Sequence, residues 1–245
     1  MSGVRGLAAQ LGAVAAVGFL CGVDARADGF ARSDDTFLFF SGTDLWRHGS
    51  FSYGGTLWSP AGLDNGGFTF KTLIGSGAYQ YRSGALDDAQ VNSVQFTGFF
   101  LPGWRFVHGK TFVTVFGGVD LQHHSQAPYD PGSDLNGSHV GFRGAIEFWH
   151  EPTPTTMIAA DATVSTIGPS YAARAAFGWR IADLLYLGPE IGGFASRETY
   201  HQFRAGLHVT GFRFAWVEWA AAAGWAMDSD DRNGFYARLG LHVRR

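Results

Sequence analysis

From residue 36 to the C-terminus, apolar and polar side chains alternate with a period of two in segments of about ten residues, each ended by turn residues. Residues 202 to 210 put Phe203, Ala205, Leu207 and Val209 on one face and Gln202, Arg204, Gly206, His208 and Thr210 on the other. The same rule sets Val140, Phe142, Ile146 and Phe148 against Gly141, Arg143, Ala145 and Glu147. Between 171 and 181 it sets Tyr171, Ala173, Ala175, Phe177, Trp179 and Ile181 against Arg174, Gly178 and Arg180. Phe235, Ala237, Leu239, Leu241 and Val243 oppose Tyr236, Arg238, Gly240 and His242 in the last segment.

Applied to the whole chain, the pattern predicts strands near 36–46, 50–58, 67–81, 91–101, 110–122, 139–150, 155–166, 170–181, 184–195, 200–211, 214–227 and 233–244. That even number of strands predicts an all-β fold, a transmembrane antiparallel up-and-down barrel. With both ends on the periplasmic side, the odd connections face outward, among them Ser83 to Gln90, His123 to Ser138 and Asp228 to Arg232. Several inward connections are short: Glu151 to Pro154, Ala182 with Asp183, and Gly211 to Arg213. Two inward ones, Ser59 to Gly66 and Pro102 to Gly109, are longer than the topology favours.

Alternation alone fits a soluble periplasmic β protein equally well, so the membrane reading rests on composition. Only Lys71 and Lys110 are lysines, and the face opposite the apolar one carries Gly, Ala, Ser and Thr with scattered Arg and Glu. Such a face suits a crowded lumen better than a wetted surface. Tyr171, Trp179, Trp219, Trp225 and Phe235 lie near segment ends on the apolar face, where a headgroup layer accepts aromatic rings. Glycine is about twice as frequent as in an average protein, while charged residues at 16% are scarce.

Residues 1 to 27 read as a cleavable signal peptide, with Arg5, an apolar run from Leu7 to Leu20, and Ala25-Arg26-Ala27 before the cut. Residues 28 to 245 then form the barrel domain, delivered to the outer membrane. A lipid anchor on Cys21 is the alternative, disfavoured by the bulky Leu20 before it. Cleavage leaves sixteen basic and twenty acidic residues, a net charge of −4, and no cysteine. Nucleic acid is not an expected partner; outer-membrane lipid is. Beyond the leader no apolar run is long enough for a membrane helix, so entry into a bilayer requires a closed barrel.

The registers direct Lys71, Arg143, Glu147, Asp161, Arg174, Arg180, Glu190, Arg204, His208, Glu218 and Arg238 into the lumen as a polar network. Either these charges line a narrow pore or bind a polar polymer, or they pair across strands to fill the interior. His123-His124-Ser125, placed at the start of the longest outer loop, raises a metal site or a lipid-cleaving hydrolase, but adjacent histidines diverge and no third partner is identifiable. Asp228-Ser229-Asp230-Asp231 lacks the spacing and distant Glu of a calcium-binding EF-hand and reads as an acidic hairpin loop. With no phosphate loop or nucleophile elbow either, neither an enzyme nor a cofactor or metal is expected. The chain ends Leu241-His242-Val243-Arg244-Arg245 without a terminal aromatic, which directs the expected assembly signal to Arg238, Gly240 and Val243.

Phe39-Phe40-Ser41-Gly42, then Gly62-Leu63-Asp64-Asn65-Gly66-Gly67-Phe68 leading into Lys71, and Gly77-Ala78-Tyr79-Gln80-Tyr81 resemble the cellulose biosynthesis protein BcsS family over most of the chain. The resemblance implies a non-enzymatic outer-membrane accessory of bacterial cellulose production, supporting exopolysaccharide export or surface anchoring in biofilm. Its expected partners are cellulose or the export machinery. A narrow porin-like channel for small polar solutes is the alternative.

Overall fold

The computed structural model describes residues 34–196 and 200–245; the expected signal peptide and the lipid-anchor position Cys21 lie outside the described residues. Twelve antiparallel strands close into a barrel in which each strand pairs with its sequence neighbours. They are β1 (Phe37–Trp46), β2 (Gly49–Trp58), β3 (Gly67–Ser83), β4 (Ala89–His108), β5 (Thr111–Ala127), β6 (Gly137–Thr153), β7 (Thr156–Ser165), β8 (Ser170–Ile181), β9 (Leu185–Ser196), β10 (His201–Phe214), β11 (Val217–Asp228) and β12 (Asn233–Arg244). β1 and β12 join the ends, from Trp46 opposite Tyr236 to Leu38 opposite Arg244. Arg245 continues the ladder, exchanging backbone hydrogen bonds with Phe37 at 2.8 and 2.9 Å. Closure pairs the edge strands, which a lipid-embedded sheet requires.

The alternation fixes which face is which. Ile74, Val140, Phe142, Leu207 and Phe235 point outward and are exposed, while Arg143, Glu147, Arg204 and Glu190 on the other face are buried. Exposed Trp104, Trp179, Trp225 and Tyr171 stand on the outward face toward strand ends, and exposed Trp216 lies in the turn between β10 and β11.

The connections correct several expected boundaries. β4 continues past residue 101 to His108, so Pro102 to Gly109 is not a long connection; Gly109 and Lys110 alone make the turn, with Gly109 at φ 59. Pro102 is accommodated because its missing N–H falls where the β4–β5 ladder is interrupted between Phe100–Val119 and Gly103–Phe116, the register being the same on both sides. Gly211 likewise does not turn the chain. It sits at φ 80 in a register shift of β10 between Val209 and Phe212, and the turn comes later at Ala215 and Trp216. The segment from Ser59 to Gly66 is a real long connection on the side of the termini.

Strands β3 to β6 are longer than the rest and raise one wall of the barrel above the other on the side away from the termini. Their added outer turns carry polar outward residues, Gln80, Arg82, Asn92 and Ser125, above the apolar band.

Candidate functional site

Every lumen residue expected from the registers is on the inward face, and the structure distributes them among separate clusters. On the β7–β12 wall, Arg174 Nε donates to Asp161 at 2.8 Å and Nη1 to Glu190 at 3.1 Å. Arg238 donates to the same Glu190 oxygen, and Tyr236 donates to the other at 3.3 Å. Arg204 clamps both oxygens of Asp44 at 2.8 and 2.7 Å while donating to Gln202 at 2.6 Å. Burying a charge is costly unless it is paired and hydrogen-bonded, and both conditions are met here.

Lys71 and Glu147 form a pair at 1% and 3% side-chain exposure in the half of the barrel near the termini. The ammonium also lies 5.1 Å from the centre of the Phe40 ring and 5.6 Å from that of Phe116, so aromatic faces complete its surroundings. Arg143 donates to Asp120 at 2.8 Å; Ser165 and Gln122 donate to the same carboxylate oxygen at 2.5 and 3.0 Å. Arg180 joins Tyr186 and Glu151 near the inward turns, and Glu218 receives Arg213 at 3.2 Å. His208 hydrogen-bonds the Phe177 carbonyl and Thr210.

The interior is not uniformly polar. In the half near the termini, Leu38, Phe40, Phe51, Leu57, Leu73, Phe99, Leu101 and Phe116 form one buried apolar cluster. β1 to β5 therefore put apolar residues on both faces, and alternation fades there because inside and outside are alike. Leu63, from the long Ser59–Gly66 connection, is 1% exposed within this cluster. Its carbonyl accepts from Arg105, and neighbouring Asp64 meets Arg244 at 3.2 Å. The connection is folded into the barrel mouth.

The opposite mouth is filled in the same manner. Leu135, in the loop between β5 and β6, packs with Tyr79, Tyr81 and Val91 of one wall and Ala172, Phe194 and Tyr200 of the facing one. Asp130 fastens that loop: it is fully buried, accepting from Tyr81 at 2.9 Å, Ser83 at 2.8 Å and the Gly132 N–H at 3.0 Å. A cleft of about 730 Å3 opens at this rim, lined in part by Ser165, Tyr171, Ser196, Tyr200 and His201.

The histidine pair is not in a loop. β5 runs on to Ala127, which sends His123 outward to Ser138 at 2.8 Å and His124 inward to Gln122 at 3.0 Å. Among the described residues no group of three or more His, Cys, Asp or Glu is arranged to hold a metal ion. In the acidic turn, Arg232 donates to Asp228 at 2.6 and 2.9 Å and lies 3.1 Å from Asp230, so these carboxylates have an internal cation.

Residues that sequence reasoning missed include Asp44, Arg105, Asp120, Gln122 and Glu151, all on the inward face. Period two assigns each of them inward once the strand register is known. Their segments, flanked by Gly and aromatic residues, conceal that register.

The model of the cellulose biosynthesis protein BcsS family matches residues 38–245. The chain belongs to that family. No curated protein matches it in sequence. Among solved structures, the translocator domain of the autotransporter NalP from Neisseria meningitidis is similar at TM-score 0.51 and 13% identity, over 89% of this chain and 92% of that one. The transport unit of the autotransporter AIDA-I from Escherichia coli gives 0.49 and 8%, over 86% and 91%. A KdgM porin gives 0.47 and 7%, over 84% and 98%. At these identities the likeness concerns the fold, and the fold of this BcsS-family chain is that of an outer-membrane barrel.

Proposed function

We propose that this BcsS-family protein is a non-enzymatic outer-membrane accessory of cellulose production, which helps to export the polymer or to hold it at the cell surface and does not itself conduct it. The observation that carries the non-conducting part is the filling of both mouths: Leu63 and Arg105 at one end, Leu135 and Asp130 at the other. Toward the half near the termini the inward side chains are closely packed, with Lys71, Phe99, Leu101 and Asp120 at 0 to 1% exposure. Open aqueous channels generally need about sixteen strands, and this barrel has twelve. Family membership supports the cellulose part.

Deleting the gene is expected to lower cellulose retained on the cells, measured by dye binding and by glucose released with cellulase. Unchanged yield and attachment would refute the reading. Planar bilayers separate it from a narrow solute channel: the purified barrel is expected to leave conductance at baseline, and stable single-channel steps would favour the channel.

A further inference from the structure

One wall of the interior holds polar groups that no described residue satisfies. On β4, Ser93, Gln95 and Thr97 point inward in succession, opposite Gln126, His124 and Gln122 of β5. Gln95 is fully buried, yet among the described residues neither its amide nitrogen nor its amide oxygen has a hydrogen-bond partner; Ser93 Oγ, Thr97 Oγ1 and Gln126 Oε1 also have none there. Elsewhere in this interior Asp120, Arg143 and Glu147 each leave one atom unpartnered but are bonded through another, whereas both ends of the Gln95 amide are left, and buried amides without a partner are costly. A row of them beside one another is the signature of a surface that receives its hydrogen bonds from something that enters.

The row lies beneath the loop that fills the mouth. Gln126 donates to Ser133 of that loop at 2.8 Å, and His139 meets the Leu135 carbonyl at 3.0 Å. Asp130 holds the loop to Tyr81 and Ser83 of β3. Among the described residues these ties are hydrogen bonds and one apolar side chain, with no ion pair. Tyr79 and Tyr81 stack at 6.0 Å alongside, and Tyr79 reaches His124 at 3.4 Å.

We infer that loop 128–136 is a lid over a binding chamber for a neutral, hydroxyl-rich ligand, a saccharide chain end, recognised by Ser93, Gln95, Thr97 and Gln126. Amides and hydroxyls both donate and accept, as sugar hydroxyls do, and tyrosine rings offer apolar faces to the C–H side of a pyranose. The row itself carries no carboxylate, lysine or arginine, which disfavours an acidic or basic ligand. That the saccharide is a β-1,4-glucan rests on the cellulose reading above; that it is a neutral saccharide does not.

Calorimetry on the full protein in detergent micelles, with cellotetraose, maltotetraose and a charged tetragalacturonate, tests this. Cellotetraose is expected to bind, Gln95→Leu to weaken it at least tenfold with the heat-dependent gel shift of the folded barrel retained, and tetragalacturonate to bind no more than a tenth as well. In stopped-flow tyrosine and tryptophan fluorescence, Asp130→Ala is expected to speed association several-fold by freeing the lid. Maltotetraose preferred over cellotetraose, with the same dependence on Gln95, would uphold the chamber and remove the glucan assignment. No binding of either neutral sugar, equal binding of the charged one, or full affinity in Gln95→Leu would overturn the inference, leaving the deletion test to judge the accessory role separately. Association unchanged in Asp130→Ala would overturn the lid.

Discussion

On the β7–β12 wall the buried arginines Arg174, Arg204 and Arg238 each meet a carboxylate, and the acids Asp44, Asp161 and Glu190 balance them. On the inward face of β4 from Ser93 to Thr97, by contrast, the polar groups are neutral, and Ser93, Gln95 and Thr97 all have unpartnered atoms. On the first wall these buried charges are matched within the barrel. The difference teaches that polarity inside one barrel has two origins: charge placed to satisfy other charge, and neutral polarity that stability does not require. Substitution separates them, because the first kind fails when one member is removed and the second does not.

The largest effect is expected at Glu190. Glu190→Gln keeps the shape but leaves Arg174 and Arg238 sharing a neutral amide, an uncompensated buried charge that costs about 3–5 kcal/mol. Thermal unfolding in micelles, followed by the loss of heat-dependent gel mobility, should show a much lower midpoint. A change below about 1 kcal/mol would mean that Glu190 is hydrated in the barrel and that the two walls do not differ as described.

Gln95→Leu sharpens the contrast from the other side. An unsatisfied buried amide costs about 1–3 kcal/mol, so an apolar side chain of similar size should leave stability unchanged or raise it by about 1 kcal/mol. Destabilisation by about 2 kcal/mol would show that Gln95 is bonded in the folded protein and would place β4 with the self-satisfied wall.

How far these walls can be read from the sequence follows the same division. Arg143, Glu147, Arg174, Glu190, Arg204 and Arg238 fall at alternate positions in strands whose opposite face is plainly apolar, so register and burial are legible there. On β1 to β5 the inward face near the termini is built of Leu38, Phe40, Leu73, Phe99 and Leu101, and a strand apolar on both sides hides its register. That is why Asp44, Arg105 and Asp120 escaped notice. Pairing partners were harder still. That Glu190 takes both Arg174 and Arg238 depends on strands four apart in sequence order curving around a shared interior. The two mouth-filling segments gave no periodic signal, since Leu63 and Leu135 each stand alone among turn residues.

The smallest effect concerns the turn between β11 and β12, where charge compensation meets water. Arg232 is bonded to Asp228 through two nitrogens and touches Asp230 at 3.1 Å. Partial burial holds the Asp230 carboxyl above its ordinary range; Arg232 pulls it back down, and the nearby Asp228 charge adds to the rise. A carboxyl whose pKa is raised by folding favours the folded state when protonated. Its contribution is therefore present below the unfolded carboxylate range and is lost as pH rises through the folded value. Asp230→Asn should thus raise stability by a few tenths of a kcal/mol at neutral pH, with the gain vanishing near about pH 3, where Asp230 is protonated in both states. Thermal midpoints of variant and parent at both pH values measure it. If the parent is the more stable at neutral pH, the Arg232 contact outweighs desolvation. The turn would then join the β7–β12 wall as a place where every carboxylate is held for its charge.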